Sequence, residues 1–325
     1  MERARLDGLD GLRGVAALCV FLSHVFSQFD GNAYLAVDFF FMLSGYVMAR
    51  SYEPELRVAS RYQAGWSFLA ARFKRLYPVV LVGSLIGLPV LFLQNGANAW
   101  PIALACLLLV PFDGPRGPYM LNPPVWSIAY ELMANLAHAV LLARLRTELL
   151  LVFCAALTVL LLIAVDGHGL AMVPNAGSRV VVAVRTLLPY TLGVVLYRTW
   201  EDRPPWKIGA VTTWLTMPVF FVVVPMTIGS KGLADFVFVL VVCPLLVAGG
   251  LQNGQGSRIA HAVGGLSFPL YAVHGPIVLT LQAWEVPESL QVAAGLLAGI
   301  LLFVAMRSGG NWFHARRPDV VEARV

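Results

Sequence analysis

The chain has 325 residues, of which 58% are hydrophobic and 13% are charged, and its mean hydropathy is +0.74. A soluble domain carries about 25% charged residues, so this composition excludes an ordinary soluble enzyme and favours a protein embedded in a lipid bilayer. The formal net charge of +5 is explained by membrane topology, described below, and we expect no nucleic-acid partner.

The first predicted element is the apolar stretch LDGLRGVAALCVFLSH at residues 9–24. It begins like a secretory signal peptide, but it has no small-residue cleavage site, and Ser23 and His24 interrupt its apolar core, so we predict a retained helix. Arg13 and His24 are eleven positions apart, which at ~100° per residue places them on nearly one helix face, separated by ~16 Å. Two simpler roles stay open: Arg13 as a topology anchor, and His24 bonded to a neighbouring carbonyl.

Apolar spans recur along the rest of the chain. Because a helix needs roughly 20 apolar residues to cross the bilayer, the span at 101–112 is too short and is predicted to dip in and return. The remaining spans predict about ten crossings, with both termini cytoplasmic. The spans are 9–28, 34–50, 76–94, 101–112, 125–144, 148–165, 180–198, 208–228, 232–250, 260–282 and 288–306.

The positions of the basic residues support this topology. With ten crossings, 19 of the 23 Lys and Arg residues lie at cytoplasmic helix ends. A full crossing at 101–112 would invert everything after it and would place five basic residues between positions 144 and 207 on the wrong face. The segment DGPRGPYMLNPP at 113–124 contains too much Gly and Pro for a helix and is expected to cap the outer face.

Ionisable side chains inside membrane spans are costly and therefore mark candidate functional groups. Judged by their depth in the predicted helices, five of these side chains are expected to share one layer in the outer half of the membrane: His24, Asp38, Glu131, Arg185 and His274. His138 lies nearer the inner half and is predicted to be structural. The four cysteines lie singly in apolar runs, so we expect neither a disulfide nor a metal site.

These residues and their order resemble the acyltransferase 3 family of membrane acyltransferases. The stretch LRGVAALCVFLSH resembles the family's first-helix motif, with Arg13 and His24 in the motif positions. Five further stretches resemble the other motifs in the expected order, and together they cover about residues 6–306. They are YLAVDFFFMLSGYVMARSY, ARFKRLYPVV, PVWSIAYELMANL, RTLLPYTLGVVLY and LSFPLYAVHGPIV.

The hydropathy pattern predicts an all-α, polytopic membrane helix bundle that forms a single domain, 1–325. The resemblance implies that it transfers an acyl group, usually acetyl, from cytoplasmic acyl-CoA to a hydroxyl of a carbohydrate, a lipid-linked glycan or another membrane-accessible acceptor. Arginines suit the phosphates of CoA, and imidazole suits a general base or acyl relay near neutral pH. The resemblance assigns donor binding to Arg13, Arg72 and Arg75, catalysis to His24, Asp38, Glu131 and His274, and support to Ser44, Trp126, Ser127, Arg185 and Tyr271.

Several alternatives remain open at the level of sequence. Asp38 and Glu131 could compensate the charge of Arg185 or a histidine, His274 could cap a kink before Pro276, and an interfacial tryptophan could stack on a sugar. A transporter or proton-coupled carrier would also bury ionisable groups, but it should show internal duplication or paired broken helices, and we see neither. We expect a multi-pass protein of a bacterial-type inner (plasma) membrane, surrounded by lipids.

Overall fold

The computed structural model describes residues 5–26, 32–58, 61–114, 117–165, 169–227 and 231–308. Within these ranges every regular element is helical, which confirms the predicted all-α bundle. The chain ends, predicted to be cytoplasmic, include residues 1–4 and 309–325, which lie outside the described residues. The helices are α1 (Asp7–Val25), α2 (Ala36–Val58), α3 (Arg61–Ile86), α4 (Leu88–Asn95), α5 (Ala99–Leu107), α6 (Val125–Val140), α7 (Thr147–Val165), α8 (Arg179–Trp200), α9 (Ala210–Thr227), α10 (Lys231–Val237), α11 (Cys243–Gln252), α12 (Arg258–Ala283) and α13 (Glu288–Ser308).

By length and composition, nine helical stretches in the described residues are able to cross a membrane, as expected for a multi-pass membrane protein. They include Leu88–Leu107, which the structure divides into α4 and α5 at Gly96, where φ is 53°. They omit α3, which is long but rich in polar side chains, and α9, whose apolar part is Ala210–Val224. The number of ten crossings therefore stays a prediction.

The half-crossing at 101–112 stays a prediction, because the stretch Leu88–Leu107 taken as a whole is long enough to cross a membrane. Helix α5 has nine residues, and at about 1.5 Å per residue it is too short to span the bilayer. The backbone oxygen of its last residue, Leu107, accepts a hydrogen bond of 2.9 Å from the hydroxyl of Tyr77 in the middle of α3. The chain then returns, and Asp113 pairs at 2.6 Å with Arg179 at the start of α8.

The predicted span 76–94 is wrong at both ends. Helix α3 already begins at Arg61, and it ends at Ile86. The prediction began after the basic run ARFKR, but the helix continues through this run because Arg72 is buried and paired with Glu131 rather than held at the membrane surface. The break follows at Gly87, where any Cβ would collide with the backbone oxygen of Leu121.

Two close helix crossings organise the bundle, and both depend on glycine. At the crossing of α2 and α8, a Cβ on Gly45 would collide with the Tyr190 backbone oxygen, and a Cβ on Gly193 would collide with that of Met42. Gly264 of α12 approaches the backbone of α1 in the same way. Small residues at crossings let helix backbones approach closely in membranes, where lipid supplies little hydrophobic drive for association.

One end of the bundle, which we call the basic end, contains the ends of α2, α6 and α8 and the start of α3. There the buried Glu53 accepts a hydrogen bond of 2.6 Å from Arg198, and His138 Nε2 lies 3.3 Å from the same carboxylate. Arg198 also donates to the backbone oxygens of Leu142 and Leu145 after α6. His138 thus belongs to a network that ties three helices together, as expected for a structural residue.

Helix α12 contains a local gap in its own hydrogen bonding. Pro276 has no N–H, so it cannot donate to the backbone oxygen of Ala272. The side chain of Asn122 donates to that oxygen at 2.7 Å. The loop before α6 is thereby fastened to α12 beside His274.

Candidate active site

A cavity of about 820 Å³, its mouth included, lies between α1, α2, α3, α6 and α12. Arginines line one part of it, and hydroxyls and a carboxylate line another. At the arginine part, Arg75 is exposed and the Arg13 side chain is 31% exposed, so the cavity reaches the surface there. The polar lining consists of Arg13, Ser44, Arg72, Arg75, Ser127, Glu131, Ser267 and Tyr271.

Glu131 is the carboxylate of this cavity, and it has two partners. Its Oε1 accepts a hydrogen bond of 2.7 Å from the Ser44 hydroxyl and one of 2.5 Å from Arg72 Nη2. Arg72 is buried, whereas Glu131 is 19% exposed at its side chain. The three residues come from α2, α3 and α6, so their hydrogen bonds link three helices. All three side chains still line the cavity.

Tyr271 closes the deep part of the cavity. Its hydroxyl lies 2.7 Å from the Ser127 hydroxyl and 3.3 Å from the Pro124 backbone oxygen, to which it donates. Its ring packs edge-on against Phe40, with centroids 5.7 Å apart. The ring also contacts His274, with centroids 5.5 Å apart.

His24 and His274 form a bonded pair of imidazoles, with 3.2 Å between His274 Nε2 and His24 Nδ1. His274 is fully buried, and its Nδ1 lies 3.2 Å and 2.9 Å from the backbone oxygens of Leu270 and Tyr271. Because carbonyl oxygens only accept, His274 carries its proton on Nδ1 and accepts at Nε2. His24 Nδ1 also lies 2.9 Å from the Val20 backbone oxygen, so it carries the ring proton, which leaves the lone pair of its neutral ring on Nε2.

Asp38 and Arg185 form a second charged group, and both are buried. The Arg185 guanidinium donates to the two carboxylate oxygens at 3.0 and 2.6 Å. Its remaining donors bond the backbone oxygens of Met172 and Tyr34, and its centre lies 5.8 Å from the Trp126 ring. This pair holds the starts of α2 and α8 together with the loop before α8.

A family model described as an acyltransferase domain matches residues 6–307. The chain belongs to this acyltransferase family. It is 28% identical to acyltransferase MdmB of Streptomyces mycarofaciens, over 94% of this chain and 89% of the relative. It is also 35% identical to protein 2 in the picA locus of Rhizobium radiobacter, over 40% of this chain and 79% of the relative. No solved structure matches it significantly.

In this acyltransferase, the five ionisable groups predicted to share one layer have different partners. His24 bonds His274, Asp38 bonds Arg185, and Glu131 bonds Arg72. The sequence analysis left open that Asp38 pairs with Arg185, but it did not predict the bonds between His24 and His274 or between Glu131 and Arg72.

Sequence reasoning missed Asp235 as a buried ionisable group. It lies inside the predicted span 232–250, so the rule that selected the other ionisable groups would also have selected it. Its carboxylate accepts a hydrogen bond of 2.6 Å from the Tyr34 hydroxyl and one of 2.5 Å from the Leu170 backbone N–H. Asp235 lies in α10, and α10 directly precedes a π-helical turn at Phe238–Val242. Through Tyr34, Asp235 extends the Asp38–Arg185 group to this helix.

Proposed function

We propose that this acyltransferase uses acyl-CoA, most simply acetyl-CoA, as donor and acylates a hydroxyl of a carbohydrate or another membrane-accessible acceptor. One observation carries the proposal: Tyr271 lines a cavity that also contains three arginines, and its ring contacts a bonded pair of imidazoles. The family supports acyl transfer itself. The donor, the acceptor and the roles of individual residues are our inferences.

We assign the donor to the arginine-lined part of the cavity. CoA carries phosphates, for which guanidinium groups offer charge-assisted and bidentate hydrogen bonds. Arg13 and Arg75 are the accessible arginines of the lining, and Arg72 lies deeper beside Glu131. With the basic end facing the cytoplasm of a bacterial-type inner membrane, as the positive-inside rule predicts, the donor enters from the cytoplasm.

His24 is assigned as the general base. Its Nε2 accepts the proton of the acceptor hydroxyl while the hydroxyl oxygen attacks the thioester carbonyl carbon. The carbon–sulfur bond then breaks, and the thiolate takes the proton from the imidazolium, which yields the ester and free CoA. His274 acts as a positioning residue, because it bonds His24 Nδ1 together with the Val20 backbone oxygen, and both partners favour the tautomer that leaves Nε2 basic.

The two carboxylates receive different roles. Glu131 faces the cavity and can contact bound donor, so we keep it as a catalytic candidate. Asp38 makes two hydrogen bonds to Arg185 and is fully buried, which supports charge compensation rather than contact with substrate. Trp126 packs among Phe41, Tyr130 and the Arg185 guanidinium, which supports a packing role rather than sugar stacking.

The proposal is tested by thiol release from acetyl-CoA by the purified protein, combined with calorimetry of CoA binding. Arg13→Ala should weaken donor affinity by roughly tenfold to a hundredfold, because a charge-assisted phosphate contact is lost. Arg13→Lys should recover little if the contact is bidentate. His24→Ala should keep donor affinity and lose turnover by about 10² to 10⁴, the usual contribution of a general base.

Two controls make this experiment decisive. Lys207→Ala removes a basic side chain in the loop before α9 and should change neither donor affinity nor turnover. His261→Ala removes a partly exposed histidine outside the cavity and should also leave both unchanged. Parent-like donor affinity in Arg13→Ala would move the donor site elsewhere. Absence of CoA-dependent thiol release from the parent, with and without carbohydrate acceptors, would contradict the proposed donor and favour a carrier.

A further inference from the structure

One aromatic ring, that of Tyr271, both lines the cavity and contacts the imidazole pair. Among the described residues, the lining of the cavity includes Phe40, Ser127 and Tyr271 but neither His24 nor His274. The Tyr271 ring contacts His274, with centroids 5.5 Å apart, and His274 contacts His24, with centroids 5.1 Å apart. A donor in the cavity therefore meets Tyr271 before it meets either histidine.

Contacts from two other helices hold this ring in place. Ser127 and Pro124, at the start of α6, bond the Tyr271 hydroxyl at 2.7 and 3.3 Å. Phe40 of α2 packs against the ring edge. Tyr271 is 7% exposed, so the ring is closely packed among these neighbours.

The helix that carries Tyr271 is interrupted on both sides of it. Pro269 and Pro276 each remove one backbone donor from α12, and the second gap is bridged by the side chain of Asn122 instead of a helix N–H. Prolines inside helices are sites where the axis bends. The turn with Tyr271 thus depends on side-chain bonds from α6 and its preceding loop for its position.

We propose that Tyr271 is a gate between the donor cavity and His24, and that the structure shows the gate shut. This inference rests on the proposed donor route, in which the thioester must come within about 3–3.5 Å of the reacting group. Release of the Tyr271 hydroxyl from Ser127 and Pro124 lets the ring turn and connects the two compartments.

The gate is tested by the sidedness of cysteine labelling, which requires no acyl transfer. His24→Cys is introduced after Cys19, Cys106, Cys154 and Cys243 are replaced by Ala, and sealed vesicles of both orientations receive a membrane-impermeant maleimide. With Tyr271 intact, Cys at position 24 should label from the end opposite the basic end and only slowly from the basic end. Ser44→Cys, in the cavity, serves as the control that labels from the basic end in every background.

Opening the gate should change only the slow rate at which a cysteine at position 24 is labelled from the basic end. Tyr271→Phe and Ser127→Ala each remove bonds to the hydroxyl and should raise labelling of position 24 from the basic end by about threefold to tenfold, because a single hydrogen bond contributes modestly to a conformational equilibrium. Tyr271→Ala removes the ring and should raise that rate further, toward that of Ser44→Cys. A merely structural role for Tyr271 would lower folded protein without changing the sidedness of labelling.

The gate is refuted if position 24 labels from the basic end as fast as Ser44→Cys while Tyr271 is present. It is also refuted if the Tyr271 and Ser127 variants leave the slow rate unchanged. If Tyr271→Ala fails to reach the membrane, Tyr271→Phe and Ser127→Ala decide the outcome. A protein that passes this test but releases no thiol from acetyl-CoA would retain the gate and lose the proposed function, so the two failures are distinguishable.

Discussion

At the scale of single residues, the environments of two carboxylates separate roles that the motifs assign together. Asp38 has no exposed surface and makes two hydrogen bonds to Arg185. Glu131 faces the cavity, with the Arg72 guanidinium and the Ser44 hydroxyl as partners. A buried carboxylate paired in this way compensates a charge, whereas a carboxylate in a cavity can contact substrate.

We expect Asp38→Ala to destabilise the fold and Glu131→Gln to affect mainly turnover. Removing one partner of a buried ion pair leaves the other charge uncompensated and costs about 3–5 kcal/mol. Glu131→Gln keeps an acceptor for Ser44 and changes little in volume, so its unfolding temperature in detergent should stay close to that of the parent. Thermal unfolding and thiol release, measured on both variants, separate the two effects.

The combined variant Asp38→Asn with Arg185→Gln provides the control, because it removes both charges and should recover part of the stability. A parent-like unfolding temperature for Asp38→Ala would contradict the compensating role. Full turnover of Glu131→Gln would remove Glu131 from the catalytic candidates.

At the scale of elements, the crossing of α2 and α8 positions residues of the candidate site. Helix α2 carries Asp38 and Ser44, and α8 carries Arg185. The two helices touch backbone to backbone at Gly45 and Gly193, where any side chain would collide with the facing carbonyl. Close approach at this crossing brings the charges of the two helices together.

Gly45→Ala and Gly193→Ala should therefore lower stability and activity together. Overpacking a tight contact typically costs about 1–3 kcal/mol, and here the obstacle is backbone, which cannot rotate away. Gly65→Ala is the matched control, since its Cβ would lie 3.8 Å from Ala139 Cβ, an ordinary contact. Unfolding temperatures should fall for the first two variants and stay level or rise for the third, because Ala favours helix over Gly. A fall in all three would make the effect general to glycine rather than specific to the crossing.

Helix α12 shows why an element in this bundle is not independent of its neighbours. Its Pro276 leaves the Ala272 backbone oxygen without an intrahelical donor, and Asn122, 150 positions away in the chain, supplies one. The sequence analysis placed Asn122 only in a capping loop. The structure makes this loop part of the support for Tyr271 and His274.

At the scale of the whole molecule, the topology can be tested directly. Cysteines at Asn98 and Asp113, on either side of α5, should label from the same side of the membrane, because α5 enters and returns. Cysteines at Lys207 and Gln255, both exposed near the basic end, should label from the opposite side. An impermeant maleimide applied to intact cells and to permeabilised cells checks this. Labelling of Asn98 and Asp113 from opposite sides would show that α5 crosses.

Much of the fold could be predicted from the sequence, since helix formation in a bilayer depends on local hydropathy and length. For the short segment at 101–112, length alone predicts a half-crossing, which the labelling of Asn98 and Asp113 tests. The predicted start of α3 failed for a non-local reason. The basic run before residue 76 looks like a helix end at the membrane surface, but Arg72 is buried because Glu131, 59 positions later, is its partner.

The sequence by itself determined the class of the protein, the approximate positions of most of its helices and most of the ionisable groups inside them, because each of these depends on neighbouring residues in the chain. Tertiary structure alone decided which of those groups meet. Arg185 bonds Asp38, Arg72 bonds Glu131, and His274 bonds His24. These contacts join residues 59 to 250 positions apart. They depend on how each helix is rotated against its neighbours, and that rotation is set by close packing across the whole bundle.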